Sequence, residues 1–230
     1  MAKIVSTKCA DCTGTGVPQK RIMIVDDHPM MREGLCSIIN REPDLTVCCE
    51  AENARKALAM IEKTTPDLAL VDITMPEGSG LELIKDLIAL RPKLPVLVIS
   101  MHDEALYAER TLRAGAKGYI NKHQPPGELL KAIRQVISGQ IYTSRGFSQT
   151  LLQRINGKVG SARSNLEILT DRETEVFQMV GQGKSVKEIA QQLRMNAKTV
   201  SVHSANIRKK LGLNSSAQLI LLAIRSQNSA

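Results

Sequence analysis

Leu68-Ala69-Leu70-Val71-Asp72 is an apolar run that stops on a carboxylate. It is the third of five short apolar runs, the others being Ile22–Val25, Thr46–Cys49, Val96–Ile99 and Gly118–Ile120. Segments with apolar residues at three- and four-residue spacing follow each run in turn: Met30–Asn40, Ala54–Ile61, Leu81–Leu90, Ala105–Ala114 and Glu128–Ile137. Continuous apolar strands alternating with amphipathic helices imply a parallel sheet covered by helices on both faces. Right-handed crossovers leave few topologies for it. The expectation for residues 21–140 is therefore an α/β fold, a flavodoxin-like doubly wound five-stranded parallel sheet.

In such sheets ligands gather at the carboxyl ends of the strands, where the strand order reverses. Asp26 and Asp27 follow the first run, Asp72 the third, Ser100 the fourth and Lys122 the fifth. Nothing comparable follows the second run, which places it at a distant edge. Three crowded carboxylates repel one another unless a hard cation sits among them, and Mg²⁺ prefers such oxygen ligands. The cation would also neutralise a phosphoryl group in transfer. Lys122 adds a second positive charge, Ser100 a hydroxyl donor, and Asp72 a nucleophile. Alone, each residue has a plainer reading as a solvated turn, a helix cap or a surface lysine. Their joint occurrence at four of five strand ends carries the functional reading.

The formal charge of +8 is unevenly placed: residues 161–230 hold ten Lys/Arg against five Asp/Glu, and residues 1–160 hold 21 against 18. A positive terminal segment suits an anionic partner, although a solvated surface reads the same. No stretch reaches the roughly 18 apolar residues of a membrane span, and no signal-peptide pattern opens the chain, so a cytoplasmic protein is expected. Cys9 and Cys12 form a lone CxxC in a Gly/Thr-rich stretch, which lacks the second pair of a metal site. Residues 1–20 are read as a disordered tail with reduced thiols, and Cys48 and Cys49 as core filler.

After Gly139 the alternation stops. Residues 141–164 read as a linker with an apolar stretch at Leu151–Ile155, and residues 165–230 as a small all-α domain of four helices. Thr170-Asp171-Arg172-Glu173 and Ser185-Val186-Lys187-Glu188 are capping boxes, and Asn196 is a further N-cap. Gly181 and Gly183 end the first helix. From Ala197 to Leu211, the residues Val200, Ile207 and Leu211 define a buried stripe. Lys198, Ser201, Val202, Ala205, Arg208 and Lys209 lie opposite, small or flexible side chains flanked by positive charge that suit a major groove. An ordinary amphipathic surface helix has the same pattern. Leu213–Ile224 reads as the fourth helix.

Asp26-Asp27-His28-Pro29, Val71-Asp72-Ile73-Thr74-Met75-Pro76 with Gly80-Leu81, Ser100-Met101-His102-Asp103 and Gly118-Tyr119-Ile120-Asn121-Lys122 resemble the receiver domain of NarL/FixJ-family response regulators. Leu169-Thr170-x-Arg172-Glu173-x-Glu175-Val176, Gly183-Lys184-Ser185-x-Lys187-Glu188-Ile189-Ala190, Lys198-Thr199-Val200-x-Val202-His203 and Lys209-Lys210-Leu211 resemble the LuxR-type helix-turn-helix.

The first resemblance implies that Asp72 takes a phosphoryl group from a sensor histidine kinase. Mg²⁺ would be held by Asp26, Asp27, Asp72 and the Thr74 carbonyl. Ser100 and Tyr119 match a pair that rearranges on phosphorylation, and Thr74 and His102 occupy positions that tune phosphoryl lifetime. The second implies that Ala197–Leu211 is a recognition helix, with Ser201, Val202 and Ala205 toward bases and Lys187, Lys198, Thr199 and Lys209 toward phosphates. His203 fits packing or capping better than a base contact. The whole would be a transcription regulator that binds double-stranded DNA as a homodimer and can meet RNA polymerase, with self-phosphorylation and autodephosphorylation as its only chemistry.

One departure is that His123, not proline, follows Lys122, with Pro125-Pro126 delayed. Two other readings stand beside the regulator. An aspartyl phosphatase of the haloacid dehalogenase type would want a second Asp where Thr74 stands. A receiver that only dimerises a constitutive DNA-binding protein would not need its acidic residues.

Overall fold

The computed structural model describes residues 18–75, 80–101, 104–144, 146–147, 166, 168–193 and 195–228. The chain divides into two compact units, residues 1–149 and 150–230. Cys9, Cys12, His102 and the stretch Leu151–Ile155 lie outside the described residues.

The first unit is a parallel sheet in the order β2-β1-β3-β4-β5. Its strands are β1 (Lys20–Val25), β2 (Leu45–Ala51), β3 (Leu68–Asp72), β4 (Val96–Ser100) and β5 (Gly118–Asn121). The helices are α1 (Pro29–Asn40), α2 (Ala54–Ile61), α3 (Gly80–Leu90), α4 (Glu104–Arg113) and α5 (Pro126–Ile137). The strand begins at Lys20, one residue inside the expected tail, because Lys20 pairs with Leu45. Ile22, Ile24, Leu68, Leu70, Leu97, Ile99 and Ile120 face α1 and α5, which contribute Leu35, Ile39, Leu129, Ala132, Ile133 and Val136. Met23, Val25, Ala69, Val71, Val96 and Val98 alternate with them and are also buried, since α2, α3 and α4 close the opposite face. Burial on both faces makes these strands continuous apolar runs. Each large buried side chain contributes about 1.5–3 kcal/mol.

The expected linker starts too early. Tyr142 forms a bridge with Gly118 at the free edge of β5. Its carbonyl accepts from Tyr119 N at 3.0 Å, and its N–H donates to Lys117 O at 3.0 Å. The ring joins the α1/α5 core and its hydroxyl donates to Glu128 Oε2 at 3.0 Å. Gly118 permits this approach: a Cβ there would lie 2.9 Å from the Tyr142 carbonyl and 2.9 Å from Leu97 Cδ1. Ser144 N then donates to Glu104 Oε1 at 2.7 Å, and Phe147 is buried.

The second unit holds α6 (Asp171–Gly181), α7 (Val186–Gln192), α8 (Ala197–Leu211) and α9 (Ser216–Asn228). Both capping boxes form, at Thr170/Glu173 and Ser185/Glu188. Asn196 caps α8 by accepting from Lys198 N at 2.9 Å. Gly183, with φ 77°, makes the turn after α6, and Gly212, with φ 66°, ends α8. Val176, Phe177, Ile189, Leu193, Val200, Ile207, Leu219 and Ala223 are buried together, while Leu211 is only half-buried. The fourth helix starts at Ser216 rather than Leu213 because Ser215 caps it, its Oγ accepting from Gln218 N at 3.2 Å.

Candidate functional site

β1 and β3 are neighbours in space though not in sequence, so Asp26 and Asp72 leave the sheet side by side at the point where its winding reverses. Asp26 and Asp72 are buried to 0% and 1% exposure. Lys122 reaches back from the end of β5, its Nζ 2.6 Å from Asp26 Oδ2 and 2.7 Å from Asp72 Oδ2. Asp27 joins this cluster with His28: ligand atoms of Asp26, Asp27, His28 and Asp72 lie within 4.8 Å of one another. His28 was not singled out by sequence, and its Nδ1 sits 2.8 Å from Asp27 Oδ1.

The loops are held by backbone donors. His28 N donates to Asp26 Oδ1 at 2.7 Å and Thr74 N to Asp72 Oδ1 at 3.0 Å. The Arg32 guanidinium donates to the Asp26 carbonyl at 2.7 Å. Gly80 N donates to Ile73 O, and a Cβ on Gly80 would lie 2.3 Å from Ile73 Cα and 2.9 Å from Asp72 O. That close approach fixes the backbone just after the aspartate. Asn121 Oδ1 accepts from His123 N at 2.9 Å and Asn121 O from Gln124 N at 3.0 Å. This turn replaces the one a proline after the lysine would make, and Pro126 opens α5 instead.

Burial pushes the Asp72 carboxyl up to about 6, against the opposing pull of Lys122. Burial alone would discharge Lys122, but the two carboxylates outweigh it and hold its ammonium above the usual lysine range. One cation thus serves two buried carboxylates and offsets part of the burial that pushes Asp72 up. Ser100 and Tyr119, on the adjacent strands β4 and β5, are both fully buried. Thr74 Oγ1 is buried with no hydrogen-bond partner.

In the second unit α8 presents Lys198, Thr199, Ser201, Val202, Ala205 and Lys209 to solvent, and Lys187 is exposed on α7. Val202 is 51% exposed. Ser201 Oγ bonds back to Ala197 O at 3.1 Å. Arg208 departs from the expected exposed face: it is half-buried with Nε enclosed. Lys210 is exposed yet pairs across the unit, its Nζ 2.6 Å from Glu173 Oε2. His203 is half-buried with Nδ1 enclosed, in keeping with a packing role.

Residues 22–134 match the response regulator receiver domain, and residues 167–223 match the bacterial regulatory proteins of the luxR family. The chain is 34% identical over 220 residues to the transcriptional regulatory protein DegU of Brevibacillus brevis, covering 90% of this chain and 93% of that one. The chain belongs to the LuxR-family response regulators. It is thus a transcriptional response regulator, a receiver joined to a LuxR-type DNA-binding domain. A LuxR-family two-component response regulator from Aurantimonas sp. SI85-9A1 is 33% identical, with a TM-score of 0.57 over 60% of this chain and 99% of that one. A structure of two RcsB dimers bound to two parallel DNAs is 26% identical, with a TM-score of 0.55 over 89% of this chain and 97% of that one. No helix of the described residues is long and apolar enough to cross a membrane.

Proposed function

We propose that this LuxR-family regulator is switched by phosphorylation of Asp72 by a sensor histidine kinase. The observation that carries this reading is the Lys122 ammonium bridging Asp26 and Asp72 at the reversal point of the sheet. The three carboxylates of this cluster fit Mg²⁺, a hard cation that prefers oxygen ligands and keeps several waters. Asp26, Asp27, Asp72 and the Thr74 carbonyl would hold it, and when bound it would neutralise the phosphoryl oxygens. Asp72 offers the attacking oxygen, and Lys122 stabilises the charge that develops on the phosphoryl group. Ser100 and Tyr119 respond to the phosphoaspartate, while Thr74 and His102 set its lifetime. Thr74 is not a second carboxylate, so Asp72 is a switch with slow autodephosphorylation rather than a turnover catalyst.

The output is sequence-specific binding of double-stranded DNA by a homodimer in the cytoplasm, with RNA polymerase as a further partner. Base contacts fall to Ser201, Val202 and Ala205 on the exposed face of α8, and phosphate contacts to Lys187, Lys198, Thr199 and Lys209. The RcsB dimers bound to DNA support this arrangement by relation.

The test is incubation with acetyl phosphate and Mg²⁺, followed by intact mass and by selection of DNA from a random pool. A single phosphoryl adduct, lost in Asp72→Asn and accompanied by tighter DNA binding, is expected. An equal adduct in Asp72→Asn, or DNA binding indifferent to the donor, would overturn the reading.

A further inference from the structure

β2 carries an irregularity that brings two thiols together. Ile22 pairs with Val47 and Met23 with Cys49, so the register slips and Cys48 is left opposite no residue of β1. In a regular strand, consecutive side chains point to opposite faces and adjacent cysteines cannot meet. An extra residue bends the strand and re-aims its side chains. Here the Cys48 and Cys49 sulfurs lie 3.7 Å apart. Cys49 Sγ also lies 3.2 Å from Thr64 Oγ1, which itself donates to Met60 O. Cys48 is half-buried and Cys49 is buried, so Cys48 is the more accessible of the two residues.

We infer that Cys48 and Cys49 are a reversible oxidation site, closed to a disulfide between adjacent residues by a hydroperoxide. In the first step the Cys48 sulfur attacks the peroxide, the O–O bond breaks, and a sulfenic acid forms as water or an alcohol leaves with the Cys48 proton. In the second, the Cys49 sulfur attacks Cys48, the S–S bond forms, the S–O bond breaks, and the Cys49 proton departs with the hydroxyl as water. Two thiols and one hydroperoxide thus give one disulfide, one water and one alcohol, or two waters from hydrogen peroxide.

The product is reducible by design of its geometry. Cα atoms of adjacent residues are about 3.8 Å apart, short of the roughly 4.4–6.8 Å usual for disulfides, and strained bridges are the labile ones. The next residue, Glu50, lies 3.7 Å from Arg32 Nε, and Arg32 holds the Asp26 carbonyl. The oxidation site therefore lies within two side chains of the acidic cluster.

The intact chain suits the test as it stands, because trypsin leaves Cys48 and Cys49 in one peptide, Glu42–Arg55, with no other cysteine. The folded protein is exposed to hydrogen peroxide, free thiols are alkylated, and that peptide is weighed. The expected peptide is lighter by the mass of two hydrogen atoms, unalkylated, and returns to the dithiol with a reductant; Cys48→Ala abolishes the change. A peptide still alkylated at both cysteines, or a bridge found only between two chains on a non-reducing gel, would overturn the inference.

Discussion

Lys210 Nζ, in the last turn of α8, lies 2.6 Å from Glu173 Oε2 in the first turn of α6. The same carboxylate oxygen accepts from Thr170 N at 2.7 Å to close the α6 capping box. One side chain thus starts one helix and holds the end of another.

Replacing Lys210 by Met leaves the buried Glu173 carboxylate with its cap alone. The expected loss is about 1–2 kcal/mol, modest because Lys210 is itself partly exposed, read by urea unfolding of the second unit. Burial would raise the Glu173 carboxyl, but the Lys210 and Thr170 bonds prevail and hold it below the usual range. A depressed folded-state value adds stability above the ordinary glutamate value and loses it as pH falls through the folded one. The wild-type and K210M curves should therefore lie apart at neutral pH and converge in acid. Parallel curves down to low pH would count against the pair.

Gly80 and Gly34 should respond oppositely to alanine. A Cβ at Gly80 strikes the backbone of Asp72 and Ile73, whereas one at Gly34 meets nothing within 4 Å. Gly80→Ala is expected to cost about 1–3 kcal/mol and to slow phosphoryl uptake from acetyl phosphate. Gly34→Ala, inside α1, should stabilise by roughly 0.5–1 kcal/mol and leave uptake alone. Thermal melts and adduct kinetics on the two variants separate local packing from general loss of fold.

DNA affinity measured over a range of salt tests the face of α8. Lys198→Ala and Lys209→Ala should each weaken binding to all sequences and reduce the salt slope by about 1. Val202→Ala should change sequence preference and keep the slope. Arg208→Ala is expected to act on stability first, since its Nε is enclosed. A salt slope that falls as far with Arg208→Ala as with Lys198→Ala would refute this division.

Tyr142 should behave as part of the receiver. Tyr142→Phe removes the bond to Glu128 at about 1 kcal/mol, and Tyr142→Ala opens the α1/α5 core at about 3–5 kcal/mol. Unfolding followed by tyrosine-independent circular dichroism reads both. A neutral alanine variant would return residues 141–144 to a linker.

The sheet was legible because strands buried on both faces are unbroken apolar runs, and because chemistry collects at strand ends. Asp26, Asp27, Asp72, Ser100 and Lys122 were picked out by strand-end position, of which Asp26, Asp27, Asp72 and Lys122 converge, and the bare end of β2 marked the edge that it occupies. What escaped was non-local. The docking of Tyr142 on Gly118 joins residues whose only local sign is a glycine inside a buried strand. The enclosure of Arg208 Nε and the pairing of Lys210 with Glu173 depend on tertiary packing, which helical periodicity does not state. The start of α9 was available locally: Ser215-Ser216-Ala217-Gln218 follows the capping pattern of α6 and α7. Gln218 Oε1 does reach back, accepting from Asn214 N at 2.7 Å.

The extra residue at Cys48 has a second effect, on solubility. An open sheet has two margins where another chain could add a strand, and flat margins invite such growth. The kink in β2 spoils the straight ladder at one margin. At the other, β5 is only four residues long and Tyr142 bonds alongside it to Tyr119 N and Lys117 O. Straightening β2 by deleting Cys48 would therefore be expected to make the protein prone to fibrous self-association, through a margin that the native chain keeps irregular.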